Sequence, residues 1–318
     1  MAEVAVSGAL ASIEATLTRR LQRQSTQVMP NAELEDAGEE ARALLVSLLD
    51  VRRSWPMHHP DEVLPADVVD ALLRAAAMRA RGAPIQYATG RAAFRHLTLA
   101  VDDRVLIPRP ETEVLVDLAL ERCDGGSVVD IGTGSGCIAL SLASEGRFER
   151  VIATDVSAGA LAVARANAER VGALLRTPVE FREGSLLAPL MSERVRMVVS
   201  NPPYIAASEA AALPALVRDW EPAIALYSAE GGMAHIIALA RDAATVLEPG
   251  GWLLVEVDAR RASQAAETVI ASAWYEDVAV HRDLAGRERF VTARRRAGAA
   301  ADEVPNVHAP AAAQRGTR

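Results

Sequence analysis

Lysine is absent from this chain: all 34 of its basic Lys or Arg positions are arginine. Arginine fills so many unrelated positions that this reads as compositional bias. Positive charge is also in deficit, with 42 Asp and Glu giving a formal net charge of −8. Phosphate contacts dominate nucleic-acid affinity and need a basic surface, so the acidic balance weighs against extensive duplex binding, and no direct nucleic-acid contact is expected. Cysteine is scarce. Cys123 and Cys137 form no C-x-x-C pair and no metal-ligand spacing with the six histidines, which excludes a disulfide framework and an obvious zinc site and fits a reduced, cytoplasmic setting. Cys137 follows Gly136 at an expected helix start, where a thiolate is favoured, but a small buried residue is the simpler reading. His58 and His59 are adjacent, cannot share a helix face, and read as a surface loop. No run of 18 apolar residues occurs and the N-terminus has no basic region followed by an apolar core, so neither a membrane span nor a secretion signal is expected. Aromatics make up only 4% of the chain, which leaves Ala, Leu and Val to fill the core.

What is present is enough for two domains: 318 residues, half of them apolar. Residues 1–84 read as a helical bundle with no strand pattern. From Ala32 to Val51 a stripe of Leu34, Ala41, Leu44, Leu45, Leu48 and Leu49 recurs at helical spacing. A break is expected at Ser54-Trp55-Pro56. A further helix opens at Pro65, runs through Val69, Leu72, Leu73 and Ala76, and closes at Gly82. Residues 85–108 alternate in short apolar runs and predict a connecting β-hairpin, with Asp102-Asp103 as its turn signal. Arg109-Pro110-Glu111-Thr112 then leads into a helix carrying Val114, Leu115, Leu118 and Ala119.

From residue 127 the pattern becomes β-α-β. Strands are expected at Ser127 to Ile131, Val151 to Thr154, Val179 to Phe181, Val195 to Val199 and, after a Pro249-Gly250-Gly251 turn, Trp252 to Val257. Helices are expected from Leu161 to Val171 and from Met233 to Val246. A closing hairpin is expected near Tyr275–His281 and Glu288–Ala293. Strands alternating with helices predict an α/β fold with a parallel sheet covered on both faces. The methyl-bearing and polar tail, 297–318, is unpatterned and expected to be disordered.

Three stretches carry chemistry. Gly132-Thr133-Gly134-Ser135-Gly136 follows the first strand, at the carboxyl end where open α/β sheets bind ligands. Its glycines permit a tight turn and close ligand approach, and the next helix aims its N-terminus at that ligand. The spacing is G-x-G-x-G and not the dinucleotide pattern. Asp155 ends the next strand, 23 residues beyond Gly132, where an acid accepts hydrogen bonds from both ribose hydroxyls of an adenosine; capping the following helix is its competing role, one that Ser157 can also fill. Ser200-Asn201-Pro202-Pro203-Tyr204 follows the fourth strand. Two prolines hold the chain extended and remove two N–H donors, leaving carbonyls, the Asn201 amide and the Tyr204 ring. That set suits a planar NH2 group: the Asn201 side-chain oxygen and the Pro202 carbonyl each accept one N–H, and Tyr204 stacks on the flat face. An amide nitrogen is a poor nucleophile, because its lone pair is delocalised and no ordinary side chain deprotonates it. Positioning and electrostatic stabilisation are therefore the expected means of catalysis.

DIGTGSG, Asp155 and SNPPY resemble the class I, Rossmann-like methyltransferases that act on planar nitrogens. IPRPETE at 107–113, EPAIAL at 221–226 and DLAGRERFV at 283–291 narrow the resemblance to the bacterial release-factor glutamine N5-methyltransferases, the PrmC/HemK family, over about residues 84–294. The resemblance implies an S-adenosylmethionine-dependent enzyme that methylates the glutamine of the Gly-Gly-Gln loop in peptide-chain release factors. It implies that Gly132 to Gly136, Asp155, Leu186 and Asn201 hold the cofactor. Asn201, Pro202, Pro203 and Tyr204 then hold the glutamine, with Asn201 and Tyr204 catalytic. Arg109 to Thr112 are expected near the cofactor's amino-acid end. The implied layout is a substrate-recognition domain at 1–84, the hairpin linker at 85–108 and the methyltransferase domain at 109–296. Two departures stand out. Gly184-Ser185-Leu186 lacks the adenine-side acid of the family, and Glu256-Val257-Asp258 has Asp where the family has Gly. The competing readings are a glutamine methyltransferase for a ribosomal protein and, with more against it, a nucleic-acid adenine N6-methyltransferase. A nicotinamide oxidoreductase lacks its G-x-G-x-x-G.

Overall fold

The central strands Ser127–Ile131 and Val195–Ser200 are short, Val-rich runs buried on both pleat faces, as a parallel sheet between helical layers requires. The computed structural model describes residues 4–24, 37–190 and 192–297. In chain order the strands are β1 Val4–Ala5, β2 Val63–Leu64, β3 Arg91–Phe94, β4 Leu97–Ala100, β5 Ser127–Ile131, β6 Arg150–Asp155, β7 Val179–Glu183, β8 Val195–Ser200, β9 Leu247–Glu256, β10 Tyr275–Arg282 and β11 Glu288–Arg295. Seven of them form one sheet in the order β10-β11-β9-β8-β5-β6-β7. Strands β7, β6, β5, β8 and β9 are parallel, and β9, β11 and β10 pair antiparallel. The chain runs outward from β5 through β6 to β7, then returns to lay β8 on the other side of β5. The loops leaving β5 and β8 thus open a crevice at the point where strand order reverses.

Helices cover both faces. Val129, Ile131 and Val198 pack under Leu239, Ala243 and Val269 of the helices Ala234–Val246 and Ala262–Ala271. Val128, Val151 and Met197 pack on the other face with Leu115, Ala119 and Leu140 of the helices Thr112–Arg122 and Cys137–Glu145. The N-terminal helices Val6–Gln24, Ala37–Leu49 and Ala66–Ala80 enclose a separate core around Ile13, Leu44, Leu45 and Leu72. No helix among the described residues is long and apolar enough to cross a membrane.

Several expectations change. The N-terminal region does contain strands, but β1 and β2 have only two residues each and pair antiparallel, which is too short to leave a pattern. Ser54-Trp55-Pro56 opens a one-turn helix, Trp55–His58, and His59 stacks on Trp55 with ring centres 4.6 Å apart, so the histidine pair is not a bare loop. The hairpin turns at Arg95-His96 and not at Asp102-Asp103. Arg95 takes a φ of 53° there, held by its backbone bond to Glu113 Oε1 and by guanidinium bonds to Glu145 and Asp117. These partners are 18 or more residues away in sequence, so a local turn signal cannot report them. The hairpin shares its core with the sheet through Phe94, Leu97 and Leu99. Strand β9 begins at Leu247, before Pro249-Gly250-Gly251, because an irregularity in its pairing with β8 absorbs the turn. Leu34 and the tail beyond Ala297 lie outside the described residues.

Candidate active site

The glycine turn is built by backbone conformations that L side chains disfavour. Gly132, Gly134 and Gly136 have φ of 72°, 55° and 85°. Gly132 and Thr133 both donate backbone N–H to the Thr154 carbonyl at 2.9 Å, which folds the loop against the end of β6. A Cβ on Gly132 or Gly134 would meet nothing within 4 Å, so both face open space in a cavity. Gly136 differs: a Cβ there would meet Leu140 and Ala164, so its role is close packing, and it does not line the cavity. Beneath the turn lies Asp130, fully buried at the end of β5. Its Oδ2 accepts from Thr133 Oγ1 at 2.6 Å and from the Ala139 backbone at 3.2 Å. Burial pushes its carboxyl up to about 7. Cys137, which lines the cavity, shares this environment: burial and the nearby Asp130 push its thiol up to about 12, which keeps it protonated.

Asp155 lines the same cavity. Oδ2 accepts the N–H of Gly134 and Oδ1 the N–H of Ser157, each at 2.9 Å. A carboxylate oxygen has two acceptor sites, so each retains one for a ligand hydroxyl. The helix Ala158–Val171 is capped by Ser157, whose Oγ accepts from Ala160, and not by Asp155. At the end of the neighbouring strand β7, Gly184 donates its N–H to the Asp155 carbonyl at 3.0 Å. Any Cβ on Gly184 would sit 2.4 Å from Pro189, so the glycine is required there. Ser185 and Leu186 line the wall, Leu186 with a φ of 48°. This left-handed, non-glycine residue is the most strained backbone on that side.

The second loop leaves β8. Ser200, fully buried, donates its Oγ–H to the Ile131 carbonyl at 2.8 Å and so fastens the end of β8 to the end of β5. Asn201, Pro202 and Pro203 follow and line the cavity opposite the glycine turn. Asn201 Nδ2 donates to Thr112 Oγ1 at 3.1 Å, and Thr112 Oγ1 donates to Glu256 Oε2 at 2.7 Å. Burial pushes the Glu256 carboxyl up to about 7. Tyr204 is not among the cavity-lining residues. Burial and Glu256 push its phenol up to about 12, so it stays protonated. Its carbonyl packs against Gly232 of the left-handed stretch Glu230-Gly231-Gly232, where a Cβ would lie 2.3 Å from it. The following residue, Ile205, bridges to Tyr227, which pins the loop's exit to the segment at 221–228.

The remaining motif residues converge on this side. Arg109 pairs with the buried Glu221, whose carboxyl is raised by burial against the pull of Arg109. Glu111 pairs with Arg287 at 3.2 Å. Asp283 is buried; burial acts to raise its carboxyl, but the N–H of Arg287 and the guanidinium groups of Arg289 and Arg287 hold it below the ordinary carboxylate range. Asp258, the departure after β9, does not occupy the left-handed region and instead pairs with Arg260 and Arg261. Two contributors, His235 and Asn167, carry no local sequence signal. His235 lines the cavity with Ser228 Oγ 2.7 Å from Nδ1, and burial lowers its pKa. Asn167, fully buried, bonds both backbone groups of Ala100 and the Ser135 carbonyl, which braces the glycine turn against the hairpin. Among the described residues no group of His, Cys, Asp and Glu could hold a metal ion.

Residues 110–225 match the methyltransferase small domain, and residues 20–90 match the PrmC N-terminal domain. A release factor glutamine methyltransferase of Xylella fastidiosa is 40% identical over 258 residues, covering 80% of this chain and 92% of that protein. One from Deinococcus radiodurans is 39% identical over 283 residues, covering 88% of this chain and 99% of its own length.

Proposed function

The chain belongs to the release factor glutamine methyltransferases, and from that premise we propose that it methylates the side-chain amide nitrogen (N5) of the glutamine in the Gly-Gly-Gln motif of peptide-chain release factors, with S-adenosylmethionine as donor. The observation that carries this reading is the sharing of one cavity by the glycine turn, Asp155 and Asn201-Pro202-Pro203. The residues fit the cofactor: two glycines leave open space at the turn, and Asp155 keeps an acceptor site on each oxygen. Gly132, Thr133, Gly134, Ser135, Asp155 and Leu186 would hold it, with Gly136 shaping the turn from behind. When bound, S-adenosylmethionine supplies an electrophilic methyl group on its sulfonium.

The chain's own residues would do the rest. Asn201 and the Pro202 carbonyl would grip the target amide by its two N–H groups. Two acceptors stabilise positive charge as it develops on nitrogen, and fixing the nitrogen removes orientational freedom before reaction. Tyr204 would act from beside the site as a neutral ring. The helical region 1–84 would recognise the release factor, with 85–108 connecting it to the catalytic body 109–296. The cytoplasm, where release factors work, would be its setting.

The test is transfer of label from S-adenosylmethionine to a release factor, run beside a release factor whose loop glutamine is replaced. Label on the first alone is expected. Equal label on both rejects the assignment.

A further inference from the structure

A carboxamide can sit in its pocket two ways, with nitrogen and oxygen exchanged, and only one serves a site that must accept hydrogen bonds. At Asn201 the surrounding bonds decide between them. Glu256 is 1% exposed and its Oε2 takes the proton of Thr112 Oγ1 at 2.7 Å. A hydroxyl has a single proton, so toward Asn201 the Thr112 oxygen has only lone pairs. The Asn201 group 3.1 Å away must then be the NH2, which turns Oδ1 to the other side. Thr112 is itself 1% exposed and sits at the start of a helix, with no solvent to offer it another partner.

We propose that Thr112 and Glu256 are positioning residues that lock the Asn201 amide with its oxygen presented to the target NH2. The inference rests on the reading of Asn201 as the amide grip. Reversed, Asn201 would set its own NH2 against that of the glutamine, two donors with no acceptor between them. Glu256 sets the direction because an ionised carboxylate can only accept. Protonated, it can donate to Thr112, the hydroxyl proton is then free to point at Asn201, and the lock is lost. The charged and titratable groups around Glu256 are Arg109 and Glu111 before the helix, Arg289 on β11, Tyr204 after β8 and Cys137 after the glycine turn. Burial outweighs the two arginines and places the Glu256 transition at about pH 7.

The experiment compares wild type, Thr112→Val, Thr112→Ser and Glu256→Gln for kcat and KM with a release factor, and for the Kd of S-adenosylhomocysteine. Thr112→Val is expected to lower kcat by about 10- to 100-fold, the range of one misdirected buried hydrogen bond. KM and Kd should stay within about 3-fold, and Thr112→Ser should restore kcat. Wild-type kcat is expected to rise with pH through a limb near 7 that Glu256→Gln lacks. Wild-type kcat in Thr112→Val, or equal losses in the Val and Ser variants, overturns the proposal. If Thr112→Val does not fold, the pH profile decides: persistence of the limb in Glu256→Gln overturns it. A wild-type enzyme that methylates no release factor sinks the proposed function instead, a result none of the variant comparisons can mimic.

Discussion

The backbone N–H of Gly134 donates to Asp155 Oδ2 at 2.9 Å, so the turn after β5 and the acid at the end of β6 form one unit before any ligand enters. Asp155→Ala therefore removes the proposed ligand acceptor and releases the turn together. We expect the Kd of S-adenosylhomocysteine, measured by calorimetry, to weaken about 10- to 100-fold, the range for hydrogen bonds to a charged group. Exchange of the Gly134 amide should quicken as well. An unchanged Kd would remove Asp155 from the cofactor site.

Asn201→Ala removes the proposed grip on the target amide. Turnover should fall about 100- to 1000-fold, as when one preorganised polar group is deleted from a site that stabilises developing charge. Cofactor affinity should change far less. Single-turnover kinetics beside a binding isotherm separates the two, and equal turnover would take Asn201 out of the mechanism.

How much of this could be read before the coordinates depends on where each residue's partners lie. Gly132, Asp155 and Asn201 each close a strand, and a strand's carboxyl end is visible from its apolar run, so the crevice was legible. Thr112 was legible only as a neighbour of the cofactor, because its partners Asn201 and Glu256 are 89 and 144 residues away. Asn167 looks like any polar residue in a helix until the fold brings Ser135 beside it, and Ser200 was legible as part of its motif but its tie to Ile131 was not. Tyr204 was read as a stacking surface, and nothing in the sequence foretold that its carbonyl packs on Gly232. Asp258 stood out as a departure from the family's Gly and proves to anchor two arginines.

Gly232→Ala tests that packing. The residue has a φ of 95° and a Cβ would lie 2.3 Å from the Tyr204 carbonyl, so the added methyl must push the second loop outward. The strain alone costs about 1–3 kcal/mol. We expect a lower Tm and a loss of turnover exceeding the loss of cofactor affinity. A variant with wild-type kcat would show that the loop tolerates the shift.

Asn167→Ala leaves both backbone groups of Ala100 and the Ser135 carbonyl without their buried partner. Each unsatisfied group costs about 1–3 kcal/mol, so chemical denaturation should show a loss of several kcal/mol. The cofactor Kd should weaken as well, because Ser135 belongs to the glycine turn. A loss of stability with an unchanged Kd would mean that the brace serves the hairpin alone.

Asp130 makes stability depend on pH. Its carboxyl rises from 3.8 to about 7, so the folded protein holds the proton more tightly than the unfolded chain. That contribution is fullest below about pH 4, declines as pH rises, and is gone above 7. Between pH 5 and pH 8 wild type should lose about 2–3 kcal/mol more than Asp130→Asn, at about 1.4 kcal/mol per pKa unit. Parallel profiles for the two proteins would contradict the assignment.

Because Ser200 Oγ ties β8 to the Ile131 carbonyl, the glycine turn and the Asn201-Pro202-Pro203 loop are spaced by the sheet and not by the segment that follows them. Residues 206–226, with their short helical turns and the exposed Leu216 and Ile224, follow that tie and return to the cavity at Ile224 and Ala225.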